Sequence, residues 1–320
     1  MRNRKIGLTK ATGFIIYFAL VLVFTGDCLA DVKLPAVISD NMVIQQGIKV
    51  PIWGCAQPGE KVSVGGFGIY SREWSTVADA NGKWMVKIGP FKAGGLHGMT
   101  IKGNNTITLK NILVGEVWVC SGQSNMEFPV ANMGNWKTGV FNCDKELADA
   151  NYSKIRLFIV AMIASDKPQY DCGGKWMLCS PETVGDFSAV GYFFGRQLHK
   201  ELNVPIGLID TSYGGTPAEA WTRKEILESD SDFKPILDDY AQLEKNYPET
   251  KKKYDQAVAG WEKEIAKAKA EGNEPPQKPW EPTKPGSAGT PTVLYNAMIS
   301  PLIPYSIAGA IWYQGEKNAG

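Results

Sequence analysis

A serine follows directly after an apolar, β-rich run in this 320-residue chain. The run Val117 to Cys120 is followed by Ser121-Gly122-Gln123-Ser124-Asn125, which has the composition of a tight turn. We therefore predict a buried strand that ends in a turn with the Ser124 hydroxyl at its tip. Open α/β sheets bind their ligands at the carboxyl ends of their strands. A hydroxyl at such a site can attack a carbonyl carbon if backbone N–H groups stabilise the oxyanion; a serine that only caps a helix is the alternative.

Two further segments carry polar or glycine residues just after predicted strands. Gly214 and Gly215 follow the predicted strand Ile206 to Asp210, and glycine lets the backbone approach a ligand closely. Gln314 and Glu316 follow the predicted strand Ala308 to Trp312. The neutral amide of Gln314 can donate a hydrogen bond to a ligand without transferring a proton. Ordinary turn or core roles for these residues are the alternatives.

Four ordered segments resemble one family of enzymes. They are Leu34 to Gln46 (LPAVISDNMVIQQ), Gly122 to Met126 (GQSNM), Thr211 to Trp221 (TSYGGTPAEAW) and Ile311 to Gly320 (IWYQGEKNAG). Together they resemble the sialate O-acetylesterases, carbohydrate esterases of the SGNH-hydrolase superfamily. The similarity extends over nearly the whole mature chain, and four segments in order are far more specific than GQSN alone.

The resemblance implies a carbohydrate O-acetylesterase in which Ser124 forms an acetyl-enzyme. It implies an oxyanion hole made by the N–H groups of Ser124 and of Gly214 or Gly215, together with the Gln314 side chain. The implied substrate is an acetylated sialic acid or a related acetylated sugar, with acetylated xylan as a close alternative, and no metal or organic cofactor is implied. Substrate-binding or supporting roles are expected for Gln123, Asn125, Trp221, Glu316 and Asn318, of which Asn318 is also a rival oxyanion donor.

The family's Asp-x-x-His segment, which supplies the general base, has no counterpart in this chain. The only histidines are His97 and His199, and Gly94 and Arg196 occupy the positions three residues before them. We therefore expect an incomplete copy of the enzyme that hydrolyses esters poorly, with His199 as the candidate base if substantial turnover were found. A glycan-binding protein that has lost catalysis is the non-enzymatic alternative.

Composition excludes several other classes of protein. The net charge of +1 shows no basic excess for binding nucleic acid, and 44% hydrophobic residues is typical of a globular chain. None of the cysteine spacings resembles a zinc site. A disulfide between Cys143 and either Cys172 or Cys179 is possible, because the chain has the features of an exported protein.

Residues 1–30 are predicted to be a signal peptide. Basic residues at positions 2, 4, 5 and 10 precede a short apolar segment, and small residues precede a plausible cleavage site after Ala30. We expect export to the periplasm or the cell exterior, and no stable membrane span after cleavage.

The remaining chain divides by pattern into two predicted domains. Residues 31–110 alternate in short apolar runs typical of a small β-sandwich, with a hairpin predicted at Asn81-Gly82. Residues 111–320 predict an α/β domain, an incomplete three-layer fold of the SGNH-hydrolase type with a parallel sheet. Within it, residues 223–290 are predicted to be a helical insertion, with helices at 223–229, 235–246 and 249–271.

Overall fold

The computed structural model describes residues 31–67 and 72–319. The predicted signal peptide lies outside these ranges, so its cleavage and the export of the chain stay predictions. Within the described ranges no helix has the length and apolar character needed to cross a membrane.

The described residues form eleven strands and five α-helices. The strands are β1 Val43–Gln45, β2 Val50–Cys55, β3 Lys61–Gly65, β4 Trp74–Val77, β5 Lys83–Ile88, β6 Gly94–Lys102, β7 Thr106–Gly122, β8 Tyr152–Ile159, β9 Trp176–Cys179, β10 Ile206–Ser212 and β11 Gly309–Tyr313. The α-helices are α1 Ser124–Glu127, α2 Cys143–Ala148, α3 Ala189–Leu202, α4 Lys224–Ser229 and α5 Lys234–Glu271. Shorter turns of helix occur at Ala218–Trp221, Ser231–Phe233, Tyr295–Ile299, Ser300–Leu302 and Glu316–Asn318.

The long strand β7 organises the fold. Its first part pairs with β6 in antiparallel and with β1 in parallel orientation, and its second part pairs in parallel with both β10 and β11. β8 lies parallel to β10 on the far side, and β9 adds an antiparallel edge. The predicted α/β fold with a mostly parallel sheet is therefore confirmed. β7 runs across the predicted domain boundary near residue 110 without a break, and the division into domains stays a prediction.

The central strands β7 and β10 are buried on both faces, whereas β11 is largely exposed. Cys120 and Leu208 face α3, where they join a core that contains Tyr192. Val117 and Ile209 face the opposite side, where they pack with the segment around Met298 and with the core of the preceding β-strands. Each fully buried aliphatic side chain contributes about 1.5–3 kcal/mol. This two-sided burial holds β7 and β10 in place, and pairing with β7 fixes the position of β11.

The predicted hairpin at Asn81-Gly82 is wrong, although a turn does form there. The Gly82 N–H donates to the Asp79 carbonyl at 2.9 Å. The flanking strands belong to different sheets, since β4 pairs with β3 and β5 pairs with β2. The backbone of Ala78 bonds to that of Glu60, and the backbone of Ala56 bonds to that of Gly82. These long-range bonds direct the two strands apart.

The insertion contains one long helix where two were predicted. α5 continues from Lys234 to Glu271 with Pro248 inside it, so the predicted break between residues 246 and 249 is wrong. Proline removes one helical hydrogen bond, and the other bonds of this 38-residue helix persist. Lys–acid pairs four residues apart flank the proline, including Lys253 with Glu249 and Lys251 with Asp255. Pro235 lies in the first turn of α5, where proline needs no helical hydrogen-bond donor.

The disulfide that the sequence left open does not form. Cys143, Cys172 and Cys179 are all free thiols. Burial raises the pKa of both Cys172 and Cys179 to about 12, so neither is a reactive thiolate at neutral pH. Cys120 is also free and buried against α3, as its place in the apolar strand predicts.

Candidate active site at the carboxyl end of the central sheet

Three parallel strands end at the same level and together create the site. In the register of the sheet, Gly122 of β7 lies opposite Ser212 of β10 on one side and Tyr313 of β11 on the other. Gly122 has φ +140°, and a Cβ atom there would collide with the carbonyl of Tyr313. The next residue, Gln123, donates its backbone N–H to that carbonyl at 2.9 Å. Glycine is required for this close approach, which aims the following residue out of the sheet.

Ser124 is the first residue of α1 and is partly exposed. Its hydroxyl makes no hydrogen bond to any other residue in the ranges the structure describes. The N-cap position belongs to Gln123, and no side chain caps this helix. The alternative that Ser124 serves only as a helix cap therefore has no support in this geometry. Its hydroxyl is available to a substrate.

The two glycines of the second segment differ in what their N–H groups contact. A Cβ atom on Gly214 would lie 3.4 Å from the Ser124 Cβ, so the two turns touch. The Gly214 N–H donates to the Glu127 carboxylate. Gly215 has φ +73° and open space beside it, and no described residue accepts a hydrogen bond from its N–H. Gly215 is thus the glycine whose donor is free for an oxyanion.

Gln123 and Asn125 connect the serine turn to the third segment. The Gln123 side-chain oxygen accepts from the N–H groups of Gly315 and Lys317 at 3.4 and 3.2 Å. The Asn125 amide donates to the Glu316 carboxylate. All three predicted segments therefore meet around Ser124, with these side chains holding the turn.

The Gln314 amide lies in a network with Asn318. It donates to the Asn318 side-chain oxygen at 2.7 Å and to the Thr216 carbonyl at 3.4 Å. Asn318 in turn donates to Glu219 at 2.9 Å. Both hydrogens of the Gln314 amide are engaged in this way, so a role as an oxyanion donor requires one bond to be exchanged. That predicted role stays a prediction.

Trp221 and Trp312 contact each other, but their side chains differ greatly in solvent exposure. Their rings pack edge to face, with centroids 5.9 Å apart. Trp221 is 7% exposed, and its indole N–H donates to the Thr216 hydroxyl at 2.9 Å. Trp312 is 51% exposed. Trp221 therefore supports the second segment from the core, and Trp312 is the aromatic side chain presented to solvent.

Two acidic residues of the site were not singled out from the sequence. The Glu127 carboxylate bridges the Gly214 N–H and the ammonium group of Lys137. Asp210 lies buried at the end of β10, and Ser212 donates to it through its N–H at 3.1 Å and its hydroxyl at 2.6 Å. Burial raises the pKa of Asp210 to about 7. The sequence feature that could have identified Asp210 is its position as an acidic residue at the end of the predicted apolar strand Ile206 to Asp210.

Neither histidine lies at the site. His97 is in β6 and packs against the ring of Phe67. His199 Nδ1 contacts the Val204 carbonyl at 2.7 Å, just before β10 begins. The length of β10 separates that end of the sheet from Ser124, about 20 Å at about 3.3 Å per residue. His199 therefore cannot act as the base for Ser124 in this structure.

Comparison with known proteins gives one consistent result. No protein-family model matches the chain. The sialate O-acetylesterase of Rattus norvegicus is 32% identical over 308 residues, which cover 90% of this chain and 52% of that protein. The human sialate O-acetylesterase is 30% identical over 328 residues, which cover 96% of this chain and 53% of that protein. The chain thus spans about half the length of these relatives.

A solved structure agrees with these relatives. The crystal structure of a carbohydrate acetylesterase from Xanthomonas citri superposes with a TM-score of 0.65 at 30% identity. The match covers 90% of this chain and 52% of the other.

Proposed function

Because this chain belongs to the sialate O-acetylesterase family, we propose that it carries the nucleophile site of an exported serine esterase that removes acetyl groups from carbohydrates. The observation that carries the proposal is the placement of Ser124. Its hydroxyl is unbonded and accessible, and it lies where the three segments meet at the carboxyl end of the sheet.

The geometry supports an acyl-enzyme reaction. The Ser124 oxygen attacks the acetyl carbonyl carbon, and the carbonyl π electrons move to oxygen and form an oxyanion. The unbonded N–H groups of Ser124 and Gly215 are the donors ready to hold that oxyanion. The intermediate collapses as the C–O bond to the sugar breaks. The serine proton passes through a general base to the departing sugar oxygen, and water then releases acetate from the acetyl-serine.

The general base is the part of this mechanism without a residue assigned to it. In the described ranges no histidine lies near Ser124. We therefore expect the 320 residues to hydrolyse acetyl esters slowly. Oxyanion donors and substrate binding alone retain roughly 10³–10⁴-fold catalysis over water in serine hydrolases that lack their base.

The lack of a nearby histidine also favours a second candidate, a glycan-binding protein without catalysis. The unbonded Ser124 hydroxyl and Gly215 N–H argue for the esterase, because sugar binding alone requires neither a nucleophile nor an oxyanion hole. Acetylated sialic acids and neutral acetylated sugars such as xylan fragments are both proposed substrates, since the three segments do not distinguish between them.

Acetate release from acetylated sugars tests the proposal. The native protein and Ser124→Ala would be assayed with an acetylated xylo-oligosaccharide and an O-acetylated sialic acid, with and without added imidazole as an external base. We expect slow release that depends on Ser124 and increases with imidazole. Identical rates for the two proteins under both conditions would reject the esterase, and retained sugar binding would then indicate the non-catalytic alternative.

A further inference from the structure

A cavity of about 260 Å³ is lined by Glu127, whose carboxylate accepts a hydrogen bond from the Gly214 N–H at the turn that touches Ser124. Its walls come from the loop after α1, from the ends of β8 and β10, and from the loop before α3. Polar groups in the wall include Glu127, Asp186 and Asp210, and the apolar ones include Met133 and Met162. A cavity at the carboxyl end of the strands is where an α/β sheet binds its ligand.

The charges around this cavity are unbalanced. Three carboxyl groups line it, those of Glu127, Asp186 and Asp210, and Lys137 is the one cation among its described lining residues. Lys137 is already paired with Glu127. Even with the buried Asp210 protonated, the carboxylate of Asp186 has no cation opposite it in the cavity. Beyond the cavity, one acid and one base lie beside the serine turn: Glu316 contacts Asn125, and Lys317 contacts Gln123.

An exposed aromatic side chain lies next to Lys137, one of the residues that line the cavity. Trp136 is 53% exposed, and the Lys137 ammonium lies 5.0 Å from its ring centroid. Lys137 connects through Glu127 and Gly214 to the Ser124 turn. The ring therefore lies a few contacts from the nucleophile. An exposed indole offers an apolar face for a sugar ring, and carboxylates accept hydrogen bonds from sugar hydroxyls.

We propose that this cavity is the sugar subsite, that Trp136 stacks on the sugar ring, and that the surplus of carboxylates selects neutral acetylated sugars over sialic acids. This inference rests on the proposed function, because it names the sugar whose acetyl group is presented to Ser124. A sialic acid would bring its own carboxylate against Asp186 with no unpaired cation to receive it, and like charges at short range disfavour binding. A neutral pyranoside meets no such repulsion.

Binding measurements with matched variants test the subsite. The affinity of the native protein for an acetylated xylo-oligosaccharide and for an O-acetylated sialic acid would be measured by calorimetry. We expect the neutral sugar to bind about tenfold more tightly. Trp136→Ala should weaken that binding about tenfold. Trp280→Ala is the control, because Trp280 is 95% exposed on the loop after α5, and neither it nor its sequence neighbours line the cavity.

A charge reversal separates recognition from folding. Asp186→Lys should raise affinity for the sialic acid several-fold, because it supplies the unpaired cation. Glu182→Lys makes the same change at an exposed position outside the cavity and should leave both affinities unchanged. Circular dichroism would confirm that all four variants are folded.

Each outcome decides the inference. Tighter binding of the sialic acid, or unchanged binding in Trp136→Ala, would overturn the subsite. If Ser124 is nonetheless acetylated by an activated acetyl ester, the proposed function stands and only the sugar assignment fails. If no sugar binds and Ser124 is not acetylated, both have failed.

Discussion

The backbone N–H of Gly214 donates to the carboxylate of Glu127, three residues after Ser124. This bond joins the serine turn of β7 to the glycine turn of β10, and Lys137 holds the same carboxylate from the other side. One consequence is that the N–H of Gly214 is already hydrogen-bonded, whereas that of Gly215 is free within the described ranges. The two adjacent glycines, which the sequence could not distinguish, therefore differ in their ability to bind an oxyanion. Another consequence is that Glu127 holds in place the turn that carries Gly215.

Removing the Glu127 carboxylate should destabilise the junction between the serine turn and the glycine turn, which is the contact of Glu127 with Gly214 and Lys137. Glu127→Ala deletes a hydrogen bond and an ion pair at a largely buried side chain, so we expect a loss of about 1.5–3 kcal/mol in the free energy of unfolding. Glu127→Gln keeps an acceptor for Gly214 and should lose less. Urea unfolding measures both values. Equal stabilities for Glu127→Ala and the native protein would show that the junction contributes nothing.

Gly122 should tolerate no side chain. Its φ of +140° and its contact with the Tyr313 carbonyl predict that Gly122→Ala lowers the free energy of unfolding by about 3 kcal/mol or more. Gly260→Ala in α5 is the control, because open space surrounds Gly260 and alanine favours helix by about 0.5–1 kcal/mol. Similar denaturation midpoints for the two variants would contradict the close packing of β7 against β11.

Asp210 should make stability fall as pH rises. Burial raises its pKa from 3.8 to about 7 in the folded protein. Between these values the folded state holds a proton that the unfolded state has lost, so ionisation above pH 4 progressively favours unfolding until about pH 7. Each pKa unit corresponds to about 1.4 kcal/mol. Asp210→Asn should therefore flatten the pH dependence of the unfolding free energy between pH 5 and 7.

A matched exposed acid controls that experiment. Asp186→Asn changes a solvent-exposed carboxylate at the same cavity, and its stability profile should follow that of the native protein. A native stability that stays constant from pH 5 to 7, or an Asp210→Asn profile as steep as the native one, would contradict the buried, protonated state.

The strands that position the site were predictable because their sequence pattern is local. Apolar runs ended by turn residues located β7, β10 and β11, and the structure extends the predicted ends of β7 and β10 by only two residues and that of β11 by one. The turn that presents Ser124 was predicted by the same pattern. Burial on both faces makes the runs of β7 and β10 apolar, which is why they were recognisable. The largely exposed β11 was recognised from its own apolar residues and the turn that follows them.

The features that were missed depend on contacts between distant parts of the chain. Asn81-Gly82 has the composition of a hairpin turn, but long-range backbone bonds place its two strands in different sheets. Separate helices were predicted at 235–246 and 249–271, yet α5 continues through Pro248 between them. The partner of the Gly214 N–H is 87 residues away in sequence, so no local pattern distinguishes Gly214 from Gly215.

His199 should have no part in any ester hydrolysis by these residues. It lies near the opposite end of β10 from Ser124 and contacts the Val204 carbonyl. His199→Asn should leave the slow, Ser124-dependent release of acetate unchanged within error. A large decrease in that rate, with the fold intact by circular dichroism, would place His199 in the reaction and contradict the arrangement of α3.

The most direct test of the account is to locate the acetyl group after exposure to an activated acetyl ester. Because no histidine in the described ranges lies near Ser124 to promote hydrolysis, an acetyl-serine should persist long enough for peptide mass spectrometry. Hydroxylamine, which cleaves esters and leaves acetylated lysines intact, would identify the serine adduct. We predict a hydroxylamine-sensitive acetyl group on Ser124 that is absent from Ser124→Ala. Acetylation of other hydroxyls at the same rate, or none at Ser124, would contradict its assignment as the nucleophile.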